Sequence, residues 1–308
     1  AMPTSLDQLV VLRFLQGMAA CAGTSSVRAM IRDMHSGHQA ARLMAFTFLV
    51  IGISPVLAPL AGSFLLHLMP WRGLFLILAG AGAIAAVMVA LLLPETLPVE
   101  RRSRRKMALW HDFRALMMTP AFLGWAVVAG LGTTIPFAYV TAAPFIYTHV
   151  FGLDGLEYSL LLALNAVVSI IATQFAPGLM RRLGGRRLIA WVAGSGAAVT
   201  AAAILLALSQ GVPLALFQLY SMALFAMAGL MLTPAAVGAL DAARSGAGAA
   251  AGVLGTIQLA VTALASAVVS LFPSFSLLPL LGIMGAGFLI SLGIMAGVMG
   301  RALPAPAR

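Results

Sequence analysis

The chain has 308 residues, of which 62% are hydrophobic and only 8% are charged, and its mean hydropathy is +1.05. A soluble globular domain cannot cover that much apolar side chain with so few charges, so the composition excludes this class. Apolar stretches of about twenty or more residues recur along the whole length, which predicts an all-α polytopic membrane protein. The net charge of +10 therefore does not indicate nucleic-acid binding, because the basic residues cluster in short loops between these stretches.

We predict nine transmembrane helices, and the loops between them are short except for one segment. The predicted spans cover residues 7–30, 40–66, 73–93, 121–147, 157–180, 188–209, 213–238, 247–271 and 277–300. The longer segment contains Pro-Glu-Thr-Leu-Pro followed by Arg-Arg-Ser-Arg-Arg-Lys. It divides the chain into a partial N-terminal helical half of three spans (1–93), a cytoplasmic basic linker (94–120) and a C-terminal six-helix half (121–308).

The positions of the basic residues predict the orientation in the membrane. Sixteen of the 18 Lys and Arg residues lie in alternate loops or at the span ends beside them, in the linker or after the last span. The loops on the other side keep only Arg72, and Arg13 lies within the first span. Because Lys and Arg accumulate on the cytoplasmic side, this asymmetry predicts an external N-terminus and a cytoplasmic C-terminus.

The first span contains Arg13 about two turns from its start, where an arginine costs roughly 2.5–3.5 kcal/mol on insertion scales. Helical spacing places Arg13, Gln16, Ala20 and Thr24 on one stripe of polar or small side chains. We interpret this stripe as one wall of an aqueous path through the membrane. The alternative is an arginine that extends to the nearer membrane surface and has no function.

The second span contains two prolines, Pro55 and Pro59, on one face of the predicted helix. Each proline removes a backbone hydrogen bond, and lipid cannot replace it. Small residues around the prolines, Ser54, Ala58 and Gly62, allow another helix to approach closely. The segment therefore predicts a bend in a tightly packed helix.

Several segments together resemble the drug:proton antiporters of the major facilitator superfamily. Arg-Phe-Leu-Gln-Gly at residues 13–17 resembles the Arg-x-x-Gln-Gly motif of their fourth helix, and residues 54–62 resemble the antiporter motif of their fifth. The Ser-Pro and Ala-Pro pairs in that second motif resemble the Bcr/CflA multidrug-resistance branch, as do residues 93–97, 137–145 and 163–166.

This resemblance implies a fold of twelve helices in two halves, of which the chain matches the fourth helix to the twelfth and lacks counterparts of the first three. It also implies that the first, fourth, seventh and tenth helices line a substrate cavity, of which the chain matches the last three. The implied proton-coupling and cavity residues are Arg13, Gln16 and Thr24; the antiporter-motif bend is Ser54, Pro55, Ala58, Pro59 and Gly62; the substrate-cavity residues are Thr133, Thr134, Tyr139, Asn165, Gln218 and Tyr220. Each polar side chain of the last group could instead be a hydrogen-bonding contact between helices.

The favoured interpretation is a monomeric efflux carrier of the bacterial inner membrane that exports small drug-like compounds in exchange for protons, by alternating access. Its expected partners are a small-molecule substrate, protons and membrane lipids, without nucleic acid, and its energy source is a proton gradient rather than a bound cofactor. The sequence has no constellation typical of an enzyme, and His35 and His38 lack the supporting ligands of a metal site. A dedicated exporter of an amino acid or peptide, and a truncated membrane fragment that does not transport, remain alternatives.

The predicted orientation can be tested by cysteine labelling in intact cells. In a chain without Cys21, a membrane-impermeant thiol reagent should label Gly155→Cys but not Ser103→Cys, because the linker is predicted to be cytoplasmic. Permeabilised cells should label both positions and so provide the control. Equal labelling of the two positions in intact cells would contradict the orientation.

Overall fold

The computed structural model describes residues 6–34, 43, 54, 57–92, 113–209, 212–243, 247–272 and 277–297. The chain divides into two compact units, Ala1–Arg105 and Lys106–Arg308. The division falls inside the predicted linker, but the boundaries of the three predicted parts stay predictions.

The described residues include nine α-helices of twelve or more residues. In the first unit these are α1 (Leu6–Met34), α2 (Leu57–Leu68) and α3 (Trp71–Leu92). In the second unit they are α4 (Pro120–Phe145), α5 (Gly155–Leu183), α6 (Gly185–Ser209), α7 (Leu214–Ala242), α8 (Ala247–Ser270) and α9 (Leu277–Gly297). Among the described residues, 7 helices, α3 to α9, are long and apolar enough to cross a membrane. This confirms the predicted all-α polytopic membrane class.

The predicted spans agree closely with these helices. The bounds of α3 to α9 lie within a few residues of the corresponding predicted spans. The helix α1 covers the whole first predicted span, 7–30. The helix α2 covers the last part of the second predicted span, 40–66, most of whose earlier residues lie outside the described part of the chain.

The start of α5 is fixed by a reciprocal pair of side-chain hydrogen bonds. The carboxylate of Asp154 accepts from the backbone N–H groups of Leu156 and Glu157, at 2.9 and 2.7 Å. The Glu157 carboxylate accepts in turn from the backbone N–H of Asp154 at 3.0 Å. This capping box satisfies N–H groups that a helix leaves without an internal partner. It therefore sets where α5 begins and orients the connection from α4.

At its other end, α5 is joined to α6 by a single residue, Gly184. Its φ of +80° lies in the left-handed region, which glycine adopts without the steric penalty of a side chain. The connection is stabilised by Arg186, whose Nε donates to the backbone oxygen of Met295 in α9 at 3.1 Å. The sharp turn thus brings the basic ends of two membrane helices to the same surface.

Within the second unit, α4 and α7 are the central helices. The helix α4 packs against α7, α8 and α9, and α7 packs against α4, α5 and α6. Small residues permit this dense packing: a Cβ on Gly130 would lie 2.9 Å from the side chain of Val261 in α8. Where lipid replaces water, such close van der Waals contact is a main source of attraction between helices.

The closest approach of α5 and α7 occurs at Gly229. A Cβ on this residue would overlap the backbone oxygen of Ser169 and lie 2.9 Å from the hydroxyl oxygen of Thr173. That hydroxyl also lies 3.4 Å from the backbone oxygen of Gly229. The absence of a side chain at Gly229 therefore determines the spacing of these two helices.

We expect Gly229→Ala to lower the free energy of unfolding by roughly 1–3 kcal/mol, because a backbone atom cannot move aside as a flexible side chain can. Gly194→Ala in α6 is the matched control, since no described atom lies within 4 Å of its Cβ position. It should leave stability unchanged or raise it by up to about 1 kcal/mol through helix propensity. Titration with a denaturing detergent measures both variants, and equal effects would contradict the assigned packing.

Candidate functional site

A buried polar cluster joins three helices of the second unit. It consists of Tyr139 from α4, Tyr147 from the π-helical turn Ile146–Val150 that continues α4, Asn165 from α5, and Gln218 and Ser221 from α7. All five side chains are buried. Because most of the surrounding residues are apolar, the cluster is the main polar feature where these three helices meet.

The hydrogen bonds of this polar cluster form a directed chain. Tyr147 donates its hydroxyl proton to Gln218 Oε1 at 2.6 Å. The hydroxyl oxygens of Tyr139 and Tyr147 are 2.7 Å apart, and since Tyr147 has already donated its only proton, Tyr139 is the donor of this bond. Gln218 Nε2 donates to Asn165 Oδ1 at 2.9 Å. The chain therefore runs from α4 through α7 to α5.

The chain ends at an amide group that lacks a partner. Asn165 Nδ2 is buried and makes no hydrogen bond within the described part of the structure. The oxygen of the same amide is well used, because Ser221 Oγ lies 3.2 Å from Asn165 Oδ1 as well as 2.9 Å from the backbone oxygen of Gln218. A buried donor without a partner costs about 1–3 kcal/mol, so this N–H group is suited to bind an acceptor such as a carbonyl oxygen.

The local backbone of α4 places Tyr147 in the polar cluster. Pro144 lacks the N–H group that would bond to the preceding turn, and the helix continues into the π-helical turn that contains Tyr147. The backbone N–H of Leu153 then donates to the backbone oxygen of Tyr147 at 2.9 Å. Such widened turns are frequent at functional sites, because they reorient side chains within a helix.

Aromatic rings surround the polar cluster. Phe217 lies at the centre of this group: its ring stacks on Tyr139 at 5.9 Å and on Phe151 at 5.4 Å and meets Tyr147 edge-on at 5.6 Å between centroids. Phe225 meets Tyr139 edge-on at 5.3 Å. The rings exclude water, and the low local dielectric strengthens the hydrogen bonds within.

Three other residues predicted to line the cavity lie apart from this polar cluster. Tyr220 donates to Thr200 Oγ1 of α6 at 3.2 Å. Thr133 Oγ1 lies 3.0 Å from Thr262 Oγ1 of α8, and Thr134 donates to the backbone oxygen of its own preceding turn. Tyr220 and Thr133 thus form interhelical hydrogen bonds, whereas the hydroxyl of Thr134 bonds only within its own helix.

One small cavity of about 40 Å³ adjoins the same region, between α6, α7 and α9. Phe217 and Tyr220 form part of its wall, and its remaining lining is aliphatic. Phe217 therefore separates this apolar space from the polar cluster.

In the first unit, Arg13 and Gln16 are in contact, as their predicted stripe requires. Arg13 Nη1 donates to Gln16 Oε1 at 3.1 Å, and the guanidinium carbon lies 4.6 Å from the ring centroid of Phe75 in α3. A cation over an aromatic ring is attracted to the negative face of the ring. The side chain of Thr24 lies outside the described part of the structure.

The predicted bend in the second span is only partly described. Pro55 lies outside the described residues, whereas Ser54, Ala58, Pro59 and Gly62 are helical. No described atom lies within 4 Å of a Cβ built on Gly62. Both the bend and the close approach of another helix at this point therefore stay predictions.

Sequence reasoning missed Tyr147 and Ser221. Ser221 follows Gln218 by three residues, so helical spacing alone places it on the same face and could have identified it. Tyr147 lies at the end of a predicted span. The direction of its side chain depends on the π-helical turn, which the sequence does not predict.

We expect Tyr147→Phe to lower the free energy of unfolding by about 1–3 kcal/mol, because Gln218 Oε1 then loses its donor in a buried site. Tyr158→Phe is the matched control, since that hydroxyl makes no hydrogen bond in the described structure. A double-mutant cycle with Gln218→Leu should give a coupling energy of about 0.5–3 kcal/mol. Additive effects of the two substitutions would contradict the hydrogen-bond chain.

Comparison with known proteins gives several partial matches. The chain is 28% identical over 278 residues to "Uncharacterized MFS-type transporter YdgK" of Bacillus subtilis, covering 88% of this chain and 68% of the relative. It is 29% identical to "Multidrug resistance protein MdtL" of a Shewanella species, and the match covers 96% of this chain and 74% of that relative. It is 24% identical to "Bicyclomycin resistance protein homolog" of Haemophilus influenzae, and the match covers 93% of this chain and 72% of that relative.

The fold has a counterpart among solved structures, the crystal structure of a bacterial homologue of the iron transporter ferroportin in its inward-facing state. The match has a TM-score of 0.59 and 18% identity, and it covers 87% of this chain and 66% of that protein. At this level of identity the likeness concerns the fold alone. Residues 1–270 match the sequence pattern of the Major Facilitator Superfamily, which is most of the chain. The chain therefore belongs to the Major Facilitator Superfamily of membrane transporters.

Proposed function

We propose that the protein exports small drug-like compounds across the bacterial inner membrane in exchange for protons, as a member of the Bcr/CflA branch. The observation that carries this proposal is the buried polar cluster with its unpaired amide donor, Asn165 Nδ2. Polar groups inside the membrane are costly, so they are found mainly on substrate and ion pathways. The names of the multidrug-resistance and bicyclomycin-resistance relatives support the same substrate class.

The chemistry of the polar cluster suits an apolar compound that has a hydrogen-bond acceptor. Phe217 and Phe225, together with the tyrosine rings, surround the polar groups with apolar side chains. Asn165 Nδ2 provides one fixed donor. Binding sites for small molecules combine these elements, a mostly apolar lining and a few convergent polar groups. Among the residues that the structure describes, the polar cluster contains no charged side chain, so uncharged or weakly charged substrates are favoured.

Arg13 has a separate role in this proposal. It acts as a fixed positive charge and not as the carrier of the exchanged proton. It is held between Gln16 and the ring of Phe75, and its positive charge stabilises a carboxylate or another anion in its vicinity. In this way Arg13 tunes proton exchange electrostatically. The protein acts as a monomer with a cytoplasmic C-terminus, and the proton gradient is its energy source.

The proposed exchange is testable with the protein in liposomes that contain a pH-sensitive dye. Addition of a drug-like substrate should cause proton release, and Arg13→Ala should reduce that release at least about tenfold, because the charge is lost. Arg13→Lys should retain part of it, since the charge remains without the bidentate fork. Arg72→Ala is the matched control, because Arg72 stacks on Trp71 outside the proposed path.

Full coupling in Arg13→Ala would contradict the role of Arg13. Proton release driven by amino acids or peptides but not by drug-like compounds would identify a metabolite exporter and overturn the proposed substrate class. Gln218→Leu should weaken drug-driven release without changing insertion, and normal release in that variant would remove the polar cluster from the substrate path.

A further inference from the structure

Four arginines surround the connection between α5 and α6. Arg181 and Arg182 end α5, and Arg186 and Arg187 begin α6, with Gly184 as the only residue between the two helices. We call these four residues the arginine corner. Because both helices are long and apolar enough to cross a membrane, the arginine corner lies at a membrane surface.

The geometry of the connection concentrates positive charge. Arg186 is four positions after Arg182, so their Cα atoms are at most about 14 Å apart even in an extended chain. Arg181, Arg182 and Arg187 are exposed, and the structure gives them no carboxylate partner among the residues that it describes. Arg186 differs, because its Nε is fixed on the backbone oxygen of Met295. The result is an anchored corner with three guanidinium groups directed away from the helix packing.

A second observation concerns Trp191. It follows Arg187 by four residues, so the two side chains lie on the same face of α6. The indole is 72% exposed, in a helix that spans the membrane. Tryptophan favours the headgroup level of a bilayer, where its ring is apolar and its N–H can bond to lipid oxygens. The face of α6 that carries Arg187 and Trp191 therefore meets the lipid headgroups.

We propose that the arginine corner and Trp191 bind the headgroup of an anionic phospholipid. Guanidinium groups donate paired hydrogen bonds to phosphate oxygens, and three of them together favour a headgroup with net negative charge. A zwitterionic headgroup also carries a phosphate, but its cationic group is repelled by the same arginines. This function goes beyond orientation in the membrane, which requires basic residues but no particular arrangement of them.

Quenching of Trp191 fluorescence by brominated lipids tests the site directly. In a chain with Trp71, Trp110 and Trp125 replaced by Phe, Trp191 is the sole tryptophan and can be excited selectively at wavelengths that tyrosine does not absorb. In bilayers of equal bromolipid content, brominated phosphatidylglycerol should occupy the site at least about fivefold more often than brominated phosphatidylcholine, because each basic residue at the surface attracts anionic lipid.

Two variants with equal loss of charge separate a site from general attraction. Substitution of Arg181, Arg182 and Arg187 by Gln should abolish the preference for the anionic lipid. Substitution of Arg101, Arg102 and Arg104 in the linker by Gln removes the same charge and should leave the preference intact. An equal loss of preference in both variants, or no loss in the first, would overturn the proposal.

A triple Lys variant of Arg181, Arg182 and Arg187 covers the case in which the Gln variant fails to insert. The Lys variant retains the positive charge that directs insertion, but a lysine cannot form the paired hydrogen bonds of a guanidinium group. Its preference for the anionic lipid should therefore fall but not vanish. An undiminished preference would overturn the assigned guanidinium contacts. Addition of inorganic phosphate should not reduce the quenching by phosphatidylglycerol, and a reduction to the level of phosphatidylcholine would identify a site for soluble phosphate instead.

Discussion

Gln218 uses the two ends of one amide group to hold three helices together. Its oxygen accepts from Tyr147 and its nitrogen donates to Asn165, so α4, α5 and α7 meet at one side chain. In an apolar interior the hydrogen bonds of such a group are strong, and the loss of the Tyr147 donor leaves the buried Gln218 Oε1 unsatisfied. The position of the neighbouring aromatic rings follows from this constraint, since Phe217 stands directly before Gln218 in α7 and packs against both tyrosines.

The same crossing of α5 and α7 continues beyond the polar cluster. Asn165, Ser169 and Thr173 follow one another at intervals of four residues on α5, and the last two approach Gly229 of α7. A polar contact is thus followed along the interface by a close backbone contact. The first fixes which faces of the helices meet, and the second fixes how near they come. The polar contact alone would not hold the two helices together, because a hydrogen bond between membrane helices contributes only about 0.6 kcal/mol on average.

Most of the fold could be predicted from the sequence, because a membrane imposes one strong rule on helix length and composition. The site could be predicted only in part. The family resemblance implies that Tyr139, Asn165 and Gln218 line a cavity, and the structure brings these three together. The resemblance implies the same of Tyr220 and Thr133, but these two bond to neighbouring helices elsewhere, since a motif does not show which way each side chain points. Tyr147 reaches the polar cluster because it lies in a π-helical turn. The sequence around Tyr147 carries no pattern that predicts such a turn.

The unpaired end of the hydrogen-bond chain has a consequence for selectivity. An amide can rotate by 180° about its terminal bond with almost no change in shape, which exchanges its donor and its acceptor. If Gln218 and Asn165 rotate together, Gln218 donates to Tyr147, Asn165 donates to Gln218, and the atom left unpaired becomes Asn165 Oδ1 instead of Asn165 Nδ2. The rotation also removes the longer hydrogen bond, 3.4 Å, from Gln218 Nε2 to the backbone oxygen of Leu161. The same three helices then present an acceptor where they had presented a donor. Under the proposed function, the rotated cluster would complement a compound with an N–H group instead of a compound with a carbonyl.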